Sequence, residues 1–309
     1  MTTRFSYLKN LLGDRCVFGA SAKSYTTYRA GGDFELLAKP ANADELRRIL
    51  DFAVENGIPW HILGRGSNIL VSDSGLDGIT IFTGLIDYVR IVKSVGNSDG
   101  KTSVIAGAGT VWDKFVMECI KKGLSGYEKT SGIPGSVGGA IRMNAGAYGQ
   151  ETADFLESFS VITPSGEIVE LFRNEIDFSY RHSGFPSDYA VVEAKFMLPS
   201  GNAEDLLRTR QETLSSRRNK QPLEYPSAGS VFRRPEGDYA SRLIDQCGLK
   251  GLAIGGAEIS RKHAGFIINR NNASASDIYS LIRMTQEEVK RQTGRDLQLE
   301  QVLWGKFRI

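Results

Sequence analysis

The residues best suited to chemistry in this chain lie in and beside three glycine-rich stretches: GRGSNIL (residues 64–70), AGAGT (106–110) and TSGIPGSVGGAIRMNAGAYG (130–149). The longest holds six glycines and one proline in twenty residues. Glycine has no Cβ, so backbone N–H groups can converge on an anion. Between the glycines stand Ser67, Asn68, Ser131, Ser136 and Asn144, short hydrogen-bonding side chains that suit phosphate and ribose oxygens. No GxxxxGK[ST] occurs, and none of the three reads GxGxxG between a strand and a helix, which excludes a P-loop and a Rossmann fingerprint. The competing reading of each stretch is a tight turn between strands.

A second concentration is charge. From Arg208 to Arg234 lie six arginines (208, 210, 217, 218, 233 and 234) and Lys220, against Glu212 and Glu224, a local excess of five positive charges. Such a cluster is either a solvated helix face or an anion site. The whole chain carries a formal charge of only +2, so no global field draws in nucleic acid or membrane. His61, His182 and His263 are too dispersed for a metal triad, and His61 falls in a short apolar strand where core packing is the simpler role. Cys16, Cys119 and Cys247 are far apart, odd in number and form no CxxC, so neither a disulfide framework nor a thiolate zinc site is expected. No catalytic metal is expected. The first residues lack the apolar run of a signal peptide, and no stretch approaches the roughly 20 apolar residues of a membrane span. The expected setting is a reducing cytoplasm.

The elements that must position these residues are legible in part. At 309 residues the chain suits two or three domains. NADELRRILDFAVENG reads as a helix, with Leu46, Ile49, Leu50 and Ala53 on one face, Asn42 and Glu45 as an N-terminal capping pair and Gly57 as a stop. WHIL follows as a strand, giving a β-α-β start over about residues 34–63. ITIF and SVIAGAG read as buried strands, and TVWDKFVMECIKKG as a helix with Val111, Phe115 and Cys119 on one side. Residues 157–198 are β-rich, with a hairpin around Pro164-Ser165-Gly166 and a strand over YAVVEAKFML. A polar helix AEDLLRTRQETLSSRR, a proline- and glycine-bearing loop, a short helix around YASRLIDQCG and a strong helix SASDIYSLIRMTQEEVKRQTG complete the chain. The last is capped by Ser274 and Asp277, lined by Ile278, Leu281, Ile282 and Val289, and ended by Gly294. The composition shift near Gly201 is the best boundary.

GRGSNILVSD together with SGIPGSVGGAIRMNAGAYG resembles the flavin-binding signature of the UDP-N-acetylenolpyruvoylglucosamine reductase family. FSYRHSGF (178–185), EYPSAGSVFRRP (224–235) and KHAGFIIN (262–269) also resemble that family, in its order and spacing, from about Thr27 to Gly305. The resemblance implies an α+β protein: a two-lobed FAD-binding domain of the vanillyl-alcohol-oxidase type, over 1–85 and 86–200, followed by an α+β substrate-binding domain over 201–309 whose tail returns to the active site. It implies NADPH-dependent, FAD-mediated reduction of UDP-N-acetylglucosamine enolpyruvate to UDP-N-acetylmuramate for peptidoglycan, with hydride from flavin N5. The implied FAD contacts are Gly64, Arg65, Gly66, Ser67, Asn68, Ile69, Ser131, Gly132, Ile133, Gly135, Ser136, Gly139, Ala140, Asn144, Ala145 and Gly146. GRGSNIL offers neither histidine nor cysteine, so the FAD is expected to be non-covalent.

By the same resemblance Ser230 is the proton donor, Arg181 binds the substrate carboxylate, and Glu300 helps the enol intermediate form or collapse. Tyr180, Lys220, Tyr225 and Arg234 are implied substrate contacts, Lys220 toward the diphosphate. Near Glu300 the chain departs from the family's Leu-Glu-Pro-Glu, reading Leu297-Gln298-Leu299-Glu300. Without the resemblance, Ser230 is a turn serine and Arg181 a surface arginine. The rival functions are an FAD-dependent oxidase or dehydrogenase of the same fold acting on another substrate, and a nucleotide-sugar-binding module without catalysis. The partner expected is a small-molecule UDP-sugar, with no nucleic acid, no membrane and no obligate protein partner.

Overall fold

The computed structural model describes residues 4–92 and 100–307. In chain order its first elements are α1 (Ser6–Leu12), β1 (Cys16–Ser21), β2 (Asp33–Ala38), α2 (Ala43–Glu55), β3 (Trp60–Leu63), β4 (Ile69–Val71), β5 (Leu76–Phe82), β6 (Val89–Val92), β7 (Lys101–Gly107), α3 (Trp112–Lys121) and α4 (Val137–Arg142). There follow β8 (Gly146–Ala147), β9 (Gln150–Glu151), β10 (Leu156–Ile162), β11 (Ile168–Phe172), β12 (Phe178–Ser179), β13 (His182–Ser183), β14 (Ala190–Pro199) and α5 (Ala203–Lys220). The last are α6 (Ala240–Gln246), β15 (Ala253–Ile254), β16 (Ala257–Ile259), β17 (Ile267–Asn269), α7 (Ala275–Thr293) and β18 (Val302–Trp304). Among the described residues no helix is long and apolar enough to cross a membrane.

Contacts divide the chain into two compact units. One comprises Met1–Val17, Leu37–Arg65 and Ile79–Ser216; the other comprises Phe18–Leu36, Gly66–Gly78 and Arg217–Ile309. These units cut the chain differently from the boundaries at 85 and 200. The shift from 201 to 217 has a local cause. Leu206 of α5 lies in the first unit's core, and Arg210 of α5 bonds Asp113 of α3 through both guanidinium nitrogens at 2.6 and 2.7 Å.

The first unit is built on a five-stranded sheet in the order β11-β10-β14-β7-β6, with antiparallel pairing throughout. The hairpin expected around Pro164-Ser165-Gly166 is β10–β11, paired from Ser158↔Phe172 to Ile162↔Ile168. Strands alternate side chains across the sheet, and Phe159, Val161, Ala194, Phe196 and Leu198 are on its buried side. Against them pack Trp112, Phe115 and Tyr127: Trp112 and Tyr127 meet edge to face at 5.0 Å, and Phe115 lies 4.7 Å from Phe196. Ring pairs at these separations add to the gain from apolar burial.

Helix α2 follows its pattern: Leu46, Ile49, Leu50 and Ala53 are buried, and Asn42 Oδ1 accepts the Glu45 N–H at 2.9 Å. The capping pair is only half reciprocal, because the Glu45 carboxylate accepts the Ala41 N–H and pairs with Arg15 instead of reaching back. WHIL is β3, parallel to β5 from Trp60↔Ile79 to Leu63↔Phe82. In the sheet order β1-β2-β5-β3 the two strands of the β-α-β start are separated by β5.

The second unit holds the three-stranded sheet β15-β16-β17, antiparallel throughout, on which α7 packs. Helix α7 has the expected capping box, Ser274 with Asp277, and ends at Gly294 in the left-handed region at φ 72°. Ile278, Leu281, Ile282 and Val289 enter a core shared with Tyr28, Leu70, Val231, Phe232, Ile259 and Ile267. A parallel pair, β18 with β4, ties the C-terminal segment to residues 69–71, from Val302↔Ile69 to Trp304↔Val71.

Candidate functional site

The longest glycine stretch is not bare loop throughout. Val137–Arg142 form α4, N-capped by buried Ser136, whose Oγ accepts the Gly139 N–H at 3.3 Å. Its first N–H groups are spent on the AGAGT turn: Val137 donates to the Thr110 carbonyl and Gly138 to the Ala108 carbonyl, both at 2.9 Å. That turn is glycine-rich for packing. A Cβ on Gly109 would collide with the Thr83 carbonyl, and one on Gly107 with the Ile86 carbonyl. The Thr110 hydroxyl donates to the Tyr88 carbonyl and accepts the Tyr88 N–H. For AGAGT the turn reading holds.

Aromatic residues hold the ends of the long stretch. Trp112 Nε1 donates to Thr130 Oγ1 at 2.9 Å, and the Tyr127 hydroxyl donates to the Thr152 carbonyl at 2.6 Å. A Cβ on Gly64 would strike Ser136 Oγ, so the turn after β3 lies directly against the cap of α4. Gly139 differs: it is exposed, and a Cβ there would meet only Ser136 Oγ at an ordinary 3.4 Å. Internal packing does not require a glycine at 139, which fits close approach by a group from outside the chain. The N–H groups of Gly135 and Ser136 have no acceptor among the described residues.

Other residues of the expected FAD set are committed within the protein. The Gly132 N–H donates to Asp113 Oδ1 at 2.7 Å, and the Ser131 hydroxyl donates to the Glu128 carbonyl at 2.6 Å. Asn144 is 1% exposed; its amide donates to Glu151 Oε2 at 2.7 Å and to the Ser179 carbonyl at 3.1 Å, while Oδ1 accepts the Ala153 N–H. Its side-chain bonds to Glu151, Ser179 and Ala153 therefore brace the fold. Ile133, Ala140, Ala145 and Gly146 lie on the same stretch, and Ala140 is buried in the first core.

In the second unit the GRGSN turn continues through Gly66, at φ 61°, where a Cβ would collide with the Tyr25 carbonyl. Gly66 is buried, yet among the described residues neither its N–H nor that of Ser67 has an acceptor. A buried N–H without a partner costs free energy, so adjacent donors of this kind fit an anion. Asn68 instead clasps the C-terminal segment: Nδ2 donates to the Glu300 carbonyl at 3.1 Å, and its carbonyl accepts the Val302 N–H at 2.9 Å. Ile69 opens β4 and pairs with Val302.

Ser230 and Glu300 lie on neighbouring backbone segments of this unit. The Glu300 N–H donates to the Val231 carbonyl at 2.9 Å, the Arg233 N–H to the Gln298 carbonyl at 2.8 Å, and Phe232 pairs with Leu299 between them. On its other side Ser230 pairs with Phe266, and the Val231 N–H donates to the Gly265 carbonyl. Ser230 is exposed, and its hydroxyl has no partner among the described residues. The altered flank of Glu300 lies within this register. Leu297 is buried, Gln298 serves through its backbone, and buried Gln301 accepts from the Tyr28 hydroxyl and donates to the Ala228 carbonyl, both at 3.0 Å. Nothing in the sequence pattern marks Gln301 or Tyr28, because these partners lie 273 and 73 residues apart.

Arg181 lies in the first unit, at the second position of a two-residue turn joining β12 and β13, with φ 56°. Its Nη2 donates to the Gly146 carbonyl at 3.3 Å, and its guanidinium stands 5.1 Å from the ring of exposed Tyr180. The basic cluster is not uniformly available: Arg208 pairs with Asp205, and Arg210 with Asp113. Lys220 and Arg234 are exposed and Tyr225 is half-buried; the Arg234 guanidinium covers the Tyr239 ring at 4.6 Å. Lys262 of KHAGF donates to the Arg218 carbonyl at the end of α5, which carries Lys220, and lies 3.6 Å from Glu224. His263 Nδ1 accepts the Gly265 N–H at 3.1 Å; burial is the main cause lowering its pKa, with Lys250 acting in the same direction. Among the described residues no three His, Cys, Asp or Glu side chains are placed to hold a metal.

Comparison with known proteins covers nearly the whole chain. Residues 34–171 match the family model described as FAD binding domain, and residues 221–304 match UDP-N-acetylenolpyruvoylglucosamine reductase, C-terminal domain. A UDP-N-acetylenolpyruvoylglucosamine reductase of Streptococcus pneumoniae is 41% identical over 307 residues, 99% of each chain. One of Clostridium novyi is 40% identical over 285 residues, 92% of this chain and 90% of its own. The crystal structure of the Thermus caldophilus reductase aligns with TM-score 0.79 and 35% identity, covering 94% of this chain and 98% of its own. A VAO-type flavoprotein of Myceliophthora thermophila shares the fold alone, at TM-score 0.50 and 12% identity, over 65% of this chain and 47% of its own. The expected α+β class and vanillyl-alcohol-oxidase type of FAD domain are borne out.

Proposed function

Because the chain belongs to the UDP-N-acetylenolpyruvoylglucosamine reductase family, we propose a division of labour among its own residues for the reaction of that family. The chain is an FAD-dependent oxidoreductase that reduces UDP-N-acetylglucosamine enolpyruvate to UDP-N-acetylmuramate, with NADPH as reductant, in peptidoglycan precursor synthesis. FAD, when bound, would supply the two-electron hydride chemistry between NADPH and the vinyl carbon of the substrate. Two features of the chain suit it as the non-covalent host: the unpartnered N–H groups of Gly66 and Ser67, and a glycine at 139 that packing does not require.

Arg181 holds the substrate carboxylate, because a planar guanidinium binds it through two parallel bonds and keeps its charge at any working pH. Ser230 donates the proton. A hydroxyl is a weak acid, but the carbon beside the carboxylate becomes basic enough to take its proton once hydride has added. Glu300, one bridge away from Ser230, helps that enol-like species form or collapse. Tyr180, Lys220, Tyr225 and Arg234 contact the sugar nucleotide, Lys220 toward the diphosphate. Functionally we keep lobes 1–85 and 86–200 for FAD and 201–309 for substrate, in a cytoplasmic enzyme needing no nucleic acid or obligate protein partner.

The observation that carries this reading is the register that sets Ser230 and Glu300 on facing strands of backbone beside the Asn68 turn. Purified protein mixed with NADPH and UDP-N-acetylglucosamine enolpyruvate should yield the lactyl ether product by mass spectrometry. Rapid oxygen consumption with no such product would favour an oxidase of the same fold.

A further inference from the structure

The hairpin that presents Arg181 is a weak structure by itself. Strands β12 and β13 pair through only Phe178↔Ser183 and Ser179↔His182, and Arg181 has a positive φ that a side chain with a Cβ disfavours. Such a tip keeps one geometry only if its surroundings over-determine it. Three alternate residues of the glycine stretch do so. Gly146 accepts the Arg181 guanidinium on its carbonyl at 3.3 Å, and Asn144 donates to the Ser179 carbonyl at 3.1 Å. Arg142 makes the largest set. Its carbonyl accepts the Ser183 hydroxyl at 2.7 Å, Nη1 donates to the Phe185 carbonyl at 3.0 Å, and Nη2 to the Tyr189 carbonyl at 2.8 Å. Its guanidinium also lies on the Phe185 ring, 3.6 Å from the centroid.

Among the described residues no carboxylate is in ion-pair contact with Arg142; its partners are two carbonyls and a ring face. Burial lowers its pKa to about 10, against the raising effect of the more distant Asp188 charge. A charge kept without a counter-charge is costly for mere packing, whereas a flat fork spanning two carbonyls while stacked on a ring fixes position and angle together. Lysine could satisfy only one of those carbonyls at a time.

We propose that Arg142 is a positioning residue for the substrate half of the reaction: by clamping residues 183–189 it sets the angle at which Arg181 meets the enolpyruvyl carboxylate. This rests on the reading of Arg181 given above. The test uses the FAD-loaded enzyme, the variants Arg142→Met and Arg142→Lys, Arg181→Lys, and the double variant Arg142→Met with Arg181→Lys. Stopped-flow absorbance reads flavin reduction by NADPH and, separately, flavin reoxidation by UDP-N-acetylglucosamine enolpyruvate; titration of the oxidised enzyme reads substrate affinity. Each Arg142 variant should slow reoxidation or weaken substrate affinity by roughly tenfold or more, the scale of coupling within one hydrogen-bonded network. Flavin reduction should change far less. Arg181→Lys should cost much less in the Arg142→Met background than alone. If Arg142→Met does not fold, Phe185→Leu removes the stacking seat and serves in its place. Equal slowing of both half-reactions, or full additivity of the two substitutions, overturns the proposal. An Arg181→Lys enzyme with unchanged reoxidation and affinity would instead overturn the Arg181 reading.

Discussion

Ser230 stands between two bridges, to Phe266 on one side and through Val231 to Glu300 on the other, so the backbone that carries its hydroxyl has little freedom. Substitution there should therefore alter chemistry more than structure. Ser230→Ala should still allow NADPH to bleach the flavin, while reoxidation by the enolpyruvyl sugar slows about 100- to 10,000-fold. Stopped-flow absorbance separates the halves, and equal slowing of both would refute the assignment. His263 makes a pH prediction at the same scale. Its pKa is lowered by burial, helped by Lys250 and opposed by its own backbone bond, and the neutral ring is needed because Nδ1 accepts the Gly265 N–H. A lowered folded value means that the stability from the neutral form is complete above the usual imidazole value of 6.5 and is lost as pH falls through the folded value. The urea midpoint should fall between pH 7 and pH 5, and His263→Gln should flatten part of that fall. His61 shifts the same way through burial and should account for some of the remainder.

Elements here succeed or fail on a few terminal residues. Helix α7 is anchored by a full capping box and also by Asp73, whose carboxylate accepts the N–H groups of Ala275 and Ser276, both at 2.8 Å. Ser274→Ala should cost about 1 kcal/mol in urea unfolding. A loss near zero would mean that Asp73 alone suffices. The turn after β3 is less forgiving. Gly66 combines a positive φ with contact against the Tyr25 carbonyl, so alanine there must both strain and displace the backbone. Gly66→Ala should destabilise by at least about 2 kcal/mol and reduce the flavin retained through gel filtration. Gly139→Ala, which meets no protein obstacle, should lose flavin with little loss of stability; the contrast tests which glycine serves the fold and which the ligand.

The chain passes between its two contact units five times, at residues 17/18, 36/37, 65/66, 78/79 and 216/217. The second unit's core accordingly includes Tyr28, Ala30 and Leu70 as well as residues from 228 onward. A fragment of residues 217–309 lacks those side chains, the partner strand of β18 and the Tyr28 hydroxyl that holds Gln301. It should show weak near-ultraviolet circular dichroism and bind a hydrophobic dye, where the full chain does not. A sharp, cooperative thermal transition of the isolated fragment would show that its own apolar residues are enough.

Local signals reached as far as local physics does. The period of α2 and α7, their caps at Asn42 and Ser274, and the β10–β11 hairpin were legible because each rests on residues a few positions apart. The proposed site residues rest on motif resemblance, and the backbone segments that carry Ser230 and Glu300 fall into one hydrogen-bonded register. Other features had no local mark. The helix inside the glycine stretch forms because Ser136 caps it and the Thr110 and Ala108 carbonyls take its first donors. Asn144 has the composition of a ligand residue but is spent on Glu151 and the Ser179 carbonyl. The contact units divide at 216/217, beyond Gly201, and there one arginine of the basic helix is bound to Asp113, 97 residues earlier. The sequence by itself determined the strongly periodic elements, the family and the chemical types available. Tertiary structure alone decided which polar groups are already satisfied, because a hydrogen bond between distant residues depends on where the chain returns and leaves no trace in spacing.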